Sequence, residues 1–377
     1  MSQFSSSETL PEAIIIGPSS RDRPALEQAL QRCQRLLNHP QHQYAAWNLQ
    51  SYLLSVLGRY SEAVTSYQTT LGLNSHKARV WYNYGIALAQ IGCWEDALVS
   101  LDQALIRQPN YAKAVYCKGR LWYRAQQYED ALACYEQAIA LAPESALCWH
   151  HRGKALLKLG QIAEAIASLK QAISRQPENS KTWNCLGYLQ IRCGQYQPAL
   201  KSFEQSLTLA PKKPQTYIAL SYALRRLGRA QAALAPLKTA HQIQPDLAYG
   251  WYQRGITLGT LGHLSAAQKC LVQSLKKQAY YYPTWLALGL ILEQMSDYKN
   301  AIESYNKALA IEPDIAFVFY HQALCYVKLG DRSWALEHLR RAIALAPNLY
   351  LEKAQQEPAF LALIARLEPE SLPALKS

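Results

Sequence analysis

Residues 78–111 read ARVWYNYGIALAQIGCWEDALVSLDQALIRQPNY. Numbered from Ala78, this stretch carries Trp81 at position 4, Gly85 at 8, Gly92 at 15, Ala97 at 20, Leu101 at 24, Ala104 at 27 and Pro109 at 32. The layout returns every 34 residues from Tyr44 to Leu349 without a slip: Trp47, Trp81, Val115, Trp149, Trp183, Tyr217, Trp251, Trp285 and Phe319 hold position 4. Position 20 is alanine in all nine copies, from Ala63 to Ala335. Self-similarity at a fixed period marks stacked units, not the two or three globular domains that 377 residues would otherwise suggest.

Positions 4, 8 and 11, and then 20, 24 and 27, recur at steps of three or four, the spacing of one helical face. Each unit therefore reads as two helices. Position 8 is small, as in Gly85, Gly119, Gly153, Gly187, Gly255 and Gly289, while position 24 is bulky, as in Tyr67, Tyr135, Phe203 and Tyr305. Knobs at 4, 11 and 24 facing small residues at 8, 20 and 27 let the helices approach closely. Position 15 is glycine in seven copies, with Gln126 and Ser296 as exceptions, which suits a left-handed residue ending the first helix. Proline at position 32 is expected to stop the second helix. Ser75 and Ala279 replace it in the first and seventh copies, and around Tyr280 to Pro283 the sequence leaves open whether the helix runs on or bends.

This pattern resembles the tetratricopeptide repeat, whose W-x-x-L-G signature stands here as Trp81-x-x-Tyr84-Gly85, Trp183-x-x-Leu186-Gly187 and Trp285-x-x-Leu288-Gly289. The resemblance covers nine tandem units. It implies an all-α solenoid of antiparallel helix pairs forming a right-handed superhelix. Outside residues 44–349, residues 1–23 read as a disordered polar tail and 24–43 as an N-terminal capping helix, with a C-terminal capping helix and tail over 350–377. Neither flank is long enough for a catalytic domain.

Compartment follows from what is missing. The first 23 residues offer only Ile14, Ile15 and Ile16 as an apolar run, preceded by Glu8 and Glu12, so no signal peptide is expected. The most apolar stretch, residues 280–292, contains Pro283 and falls short of the roughly 20 residues that span a bilayer. Nine cysteines are scattered singly with no C-x-x-C, as expected for reduced thiols of a cytoplasmic protein.

Lys and Arg number 39 against 27 Asp and Glu, a formal net charge of +12. The resemblance places positions 2, 5, 9, 12 and 13 of each unit on a concave groove. Those positions hold eleven cations against one acid, Glu293. The third and fourth units contribute Lys113, Tyr116, Arg120, Tyr123, Arg124, His150, Lys154 and Lys158, and the fifth and sixth Asn184, Tyr188, Arg192, Tyr222, Arg225 and Arg226. A concave surface of one sign concentrates and steers oppositely charged ligands, and interleaved tyrosines are favoured at binding surfaces. Long cationic side chains also serve as soluble cover over apolar ridges.

The expected function is a non-catalytic scaffold or assembly factor that binds an extended acidic segment of a partner protein in this groove. The alternative is single-stranded nucleic acid or another polyanion, since cations interleaved with aromatics also suit a strand. No cofactor, metal site or catalytic residue is expected, because no glycine-rich phosphate loop, nucleophile elbow or H-E-x-x-H occurs. Adjacent His150 and His151 would point about 100° apart on a helix and so cannot share an ion unaided. The carboxylate clamp of chaperone-binding family members is matched at only two of its five positions (Asn48, Tyr52, Asn83, Lys113, Cys117), so that function is not expected.

Overall fold

Two side chains in each repeat decide how its helices meet, the residue at position 8 and the one at position 24. In the computed structural model, which describes residues 23–364, position 24 is at most 1% exposed in every copy and the nine alanines at position 20 are fully buried. A Cβ added to Gly187 would lie 2.6 Å from Phe203 Cε1, and one added to Gly119 would lie 2.9 Å from Tyr135 Cε1. Glycine at position 8 is thus the space into which the position 24 ring packs.

The chain divides into two compact units, residues 1–178 and 179–377. The first holds α1 (Arg23–Leu36) and four helix pairs: α2 (Gln43–Val56) with α3 (Tyr60–Leu73), α4 (Ala78–Ile91) with α5 (Trp94–Arg107), α6 (Ala112–Arg124) with α7 (Tyr128–Leu141), and α8 (Ala146–Lys158) with α9 (Ile162–Arg175). Leu26, Ala29, Leu30 and Cys33 of α1 are buried in one cluster with Leu53, Leu54 and Tyr67 of the first pair. Residues 1–22, which contain most of the expected tail, lie outside the described residues.

The second unit holds five pairs: α10 (Ser180–Arg192) with α11 (Tyr196–Leu209), α12 (Pro214–Arg226) with α13 (Ala230–Ile243), α14 (Ala248–Thr260) with α15 (Leu264–Lys277), α16 (Tyr282–Gln294) with α17 (Tyr298–Ile311), and α18 (Ala316–Leu329) with α19 (Arg332–Leu345). Two shorter helices follow, α20 (Pro347–Gln356) and α21 (Pro358–Ile364), and Tyr350, Ala354 and Phe360 pack on Tyr320, Ala323 and Leu339 of the last pair. Residues 365–377 lie outside the described residues. Among the described residues all regular structure is helical, so the fold is all-α and built from consecutive helix pairs.

Position 15 is left-handed in all nine repeats. The seven glycines have φ between 71° and 91°, and the two exceptions conform as well, Gln126 at 65° and Ser296 at 63°. The turn therefore requires this conformation even where a side chain makes it costly.

Proline is not what stops the second helices. All nine end at position 30, including α3 and α15, whose turns carry Ser75 and Ala279 in place of proline. The helix of the seventh repeat neither runs on nor bends. In four turns the position 4 indole of the next repeat closes the loop: Trp81 Nε1 donates to Ser75 O at 2.8 Å, Trp149 to Pro143 O at 2.9 Å, Trp251 to Pro245 O at 3.0 Å and Trp285 to Ala279 O at 2.8 Å, the two turns without proline among them. Arg107 and Arg175 add a second donor to the Ser75 and Pro143 carbonyls and cover the Trp81 and Trp149 rings, with 4.9 and 5.1 Å to the centroids. At Trp81, Trp149, Trp251 and Trp285 position 4 is thus a half-buried tie between repeats, while Val115 at the same position is a buried core knob.

Candidate partner-binding surface

In the first unit, α6 and α8 bring the predicted residues of the third and fourth repeats side by side. Lys113, Arg120, Arg124 and Lys158 are exposed, and Tyr116, Tyr123 and Lys154 are half-buried. The Arg124 guanidinium lies over the Trp94 ring at 4.1 Å, Lys154 Nζ over Tyr123 at 5.1 Å and Lys158 Nζ over Tyr128 at 6.0 Å. The rings hold the cationic heads in place without neutralising them.

His150 falls differently. It is 8% exposed, so it backs this surface instead of lining it, and its ring meets His151 edge-on at 5.2 Å. His151 sits against Tyr116 and Tyr135, and burial drives its pKa down from 6.5 to about 3, with His150, Lys154 and Arg120 adding repulsion. Burial also pushes the Tyr116 phenol up to about 12. Among the described residues no group of three or more His, Cys, Asp or Glu is placed to hold a metal ion.

In the second unit, Arg192 and Arg226 are exposed on α10 and α12. Arg226 covers the Tyr196 ring at 4.9 Å and donates to the Tyr222 hydroxyl at 3.2 Å. Arg225 is half-buried, lies 5.4 Å from the Tyr222 ring centroid and donates to Gln253 Oε1 at 3.3 Å. Desolvation lowers its pKa, and among the described residues no carboxylate stands by to offset the cost. Asn184 Oδ1 accepts from Thr216 Oγ1 at 2.9 Å, which orients the amide, and among the described residues its two N–H donors have no hydrogen-bond partner. The Tyr188 hydroxyl donates to Gln215 O at 3.3 Å while its ring stays 40% exposed.

Ion pairing separates two kinds of cation. At position 7, Lys118 pairs with Asp102 at 2.6 Å and Arg152 with Glu136 at 2.8 Å, whereas Arg254 lies over the Trp251 ring at 5.7 Å. Among the described residues, none of the eleven cations at positions 2, 5, 9, 12 and 13 pairs with a carboxylate. The single acid at those positions, Glu293, is occupied, since Tyr305 Oη donates to it at 2.9 Å and His321 Nδ1 lies at 3.0 Å.

Sequence reasoning missed the aromatic supports Trp94, Tyr128 and Tyr196. All three occupy position 17, the second residue past the left-handed turn, so the period itself was a signal for them. It also missed Tyr249 and Gln253 on α14, which had no charge to draw notice.

Five sequence models described as Tetratricopeptide repeat match residues 48–113, 117–182, 168–201, 282–315 and 316–349, together more than half of the chain. The chain belongs to the tetratricopeptide repeat family. It is similar to the Photosystem I assembly protein Ycf3 of Cyanophora paradoxa, 32% identical over 81 residues that cover 21% of this chain and 45% of that protein. The Ycf3 protein of Synechococcus elongatus is 33% identical over 64 residues, covering 16% and 37%. The chain thus spans less than half the length of these curated relatives. Among solved structures, part of a repeat protein from Cytophaga hutchinsonii aligns with TM-score 0.52 and 15% identity over 64% of this chain and 98% of that one. A repeat protein from Parabacteroides merdae gives 0.51 and 15% over 66% and 98%. These structural likenesses speak for the fold alone.

Proposed function

We propose that this protein is a non-catalytic interaction scaffold that holds an extended acidic segment of a partner protein against the first helices of its repeats. The observation that carries the reading is the row of first-helix cations without carboxylates among the described residues, in a chain that does pair Lys118 and Arg152 at position 7. A cation left without a counter-ion on a stacked helix surface is stabilised when a ligand carboxylate arrives. Lys113, Arg120, Arg124, Lys154 and Lys158 supply that charge in the first unit, and Arg192, Arg225 and Arg226 in the second. The amide N–H groups of Asn184 are suited to a carbonyl of the bound backbone. Aromatic rings beneath several of these heads reduce the rotamer freedom that binding would otherwise have to freeze.

Assembly is the role printed for the Ycf3 relatives, and a surface that gathers one partner while leaving its second helices free suits such work. No described helix is long and apolar enough to cross a membrane. The nine cysteines are free thiols, which supports a reducing, cytoplasmic setting.

Affinity capture from lysate tests the reading. Wild type is expected to retain defined acidic proteins, and Arg120→Glu with Arg225→Glu to lose them at an unchanged circular dichroism melt. Retention of nucleic acid instead of protein, or capture unaffected by the double reversal, would defeat it.

A further inference from the structure

A cavity of about 490 Å³ opens between the first helices of the fifth, sixth and seventh repeats, inside the second unit. Its walls are Tyr188 and Ile191 of α10, Ile218 and Tyr222 of α12, and Tyr249 of α14. The volume lies within the roughly 300–1,000 Å³ typical of clefts that enclose a small ligand. Tyr188 and Tyr249 leave 40% and 44% of their surface to water, a cost that a ligand would remove.

Beside this cavity stands Arg225, whose Nε is buried and has no hydrogen-bond partner among the described residues. One amide fixes both features. Gln253, 3% exposed, accepts from Arg225 through Oε1 and donates to the Tyr249 hydroxyl through Nε2 at 2.8 Å. The guanidinium and the aromatic wall are therefore held in register before any ligand binds.

We infer that this cavity is a side-chain pocket for one bulky apolar residue, aromatic by preference, that lies next to an acidic residue held by Arg225. The inference rests on the acidic-segment reading and names the anchor that such a segment carries. Charge complementarity selects this occupant: Arg225 and Arg226, which lie against the ring of the wall residue Tyr222, and Arg192, next in sequence to the wall residue Ile191, have no carboxylate partners among the described residues, so an apolar group must arrive on an acidic strand. Rigid aromatic walls in a desolvated pocket are where interfaces concentrate their binding energy.

The test uses fluorescein-labelled, amidated peptides read by anisotropy: glutamates around a central tryptophan, the same peptide with alanine at the centre, and lysines around tryptophan. The tryptophan–glutamate peptide is expected to bind about tenfold more tightly than its alanine counterpart, as burial of an aromatic side chain predicts. Tyr249→Ala should erase that advantage, and Tyr249→Phe, which keeps the ring and drops only the hydroxyl that Gln253 bonds, should retain most of it. Arg225→Gln should weaken both glutamate peptides alike. Tyr188 also packs edge-on against the fully buried Phe203 at 5.3 Å, so Tyr249, whose ring partner Tyr252 at 5.8 Å is only half-buried, carries the test if Tyr188→Ala unfolds. Equal binding of the two glutamate peptides, or an advantage that survives Tyr249→Ala, overturns the pocket while leaving the acidic-segment reading intact. Binding by neither glutamate peptide overturns both. Equal binding of the lysine peptide overturns the role of Arg225.

Discussion

Replacing Gly187 by alanine adds one methyl group where α10 faces the Phe203 ring of α11. Its Cβ would stand 2.6 Å from Cε1 of Phe203 and 2.8 Å from both Cδ1 and Cζ, nearer than real Cβ atoms come to other heavy atoms. Phe203 is fully buried in a cluster with Ala199, Leu200, Ala219 and Ala223, so the ring can retreat only by displacing neighbours. Overpacking costs about 1–3 kcal/mol, and a contact this short against a fully buried ring belongs to the upper part of that range, about 2–3 kcal/mol. Alanine's better helix propensity returns about 1 kcal/mol, leaving a net loss of about 1–2 kcal/mol. Gly72, in the last turn of α3, is the internal control, because a Cβ there meets nothing within 4 Å. Gly72→Ala should stabilise the chain by about 0.5–1 kcal/mol. Urea unfolding followed by far-ultraviolet circular dichroism gives the midpoints, and hydrogen exchange in α10 and α11 places the loss where stacked repeats unfold unevenly. A Gly187→Ala protein as stable as wild type, or both variants shifting in the same direction, would refute the packing argument.

Three further outcomes follow from the same geometry. Gln126→Gly and Ser296→Gly relieve left-handed side-chain strain and should each raise stability by about 0.5–1 kcal/mol in urea melts, whereas glycine at an exposed right-handed helix position should lower it. Trp285→Phe removes the donor to the Ala279 carbonyl in a turn without proline and should cost about 0.5–1.5 kcal/mol; an unchanged midpoint would show that bond to be idle. The folded state holds the pKa of His151 near 3 against an ordinary 6.5, so between those values the unfolded chain takes up a proton that the folded chain refuses. Its contribution is complete above pH 6.5 and is lost as the pH falls towards 3, so His151→Phe should flatten that part of the acid arm, measured as urea midpoints across the range.

The period was legible in full because it is written in residues that only one geometry tolerates. Alanine at position 20 and glycine at position 8 announce close helix approach, and both appear where the letters put them. Gln126 and Ser296 looked like exceptions only because a chemical preference for glycine was visible and the backbone demand behind it was not. The role of position 4 stayed hidden for a different reason. Its indole bonds a carbonyl six residues upstream, and a backbone acceptor leaves no trace in the letters. For the candidate surface, the charges could be counted directly. Whether each was already paired depended on reach: Lys118 and Arg152 meet carboxylates sixteen residues earlier, while Arg120 and Arg225 do not. The cavity beside Arg225 is built by three neutral tyrosines from three repeats, which no count of charge could assemble.

The central claim, that first-helix cations are kept unpaired for an acidic ligand, is tested most directly by titrating the labelled alanine-centred glutamate peptide into wild type and into Arg120→Glu with Arg225→Glu at rising ionic strength. Binding to wild type that weakens steadily as salt screens the charges, and its loss in the double variant at every salt concentration, is the predicted result. Equal affinity of the two proteins, or binding indifferent to salt, would contradict it.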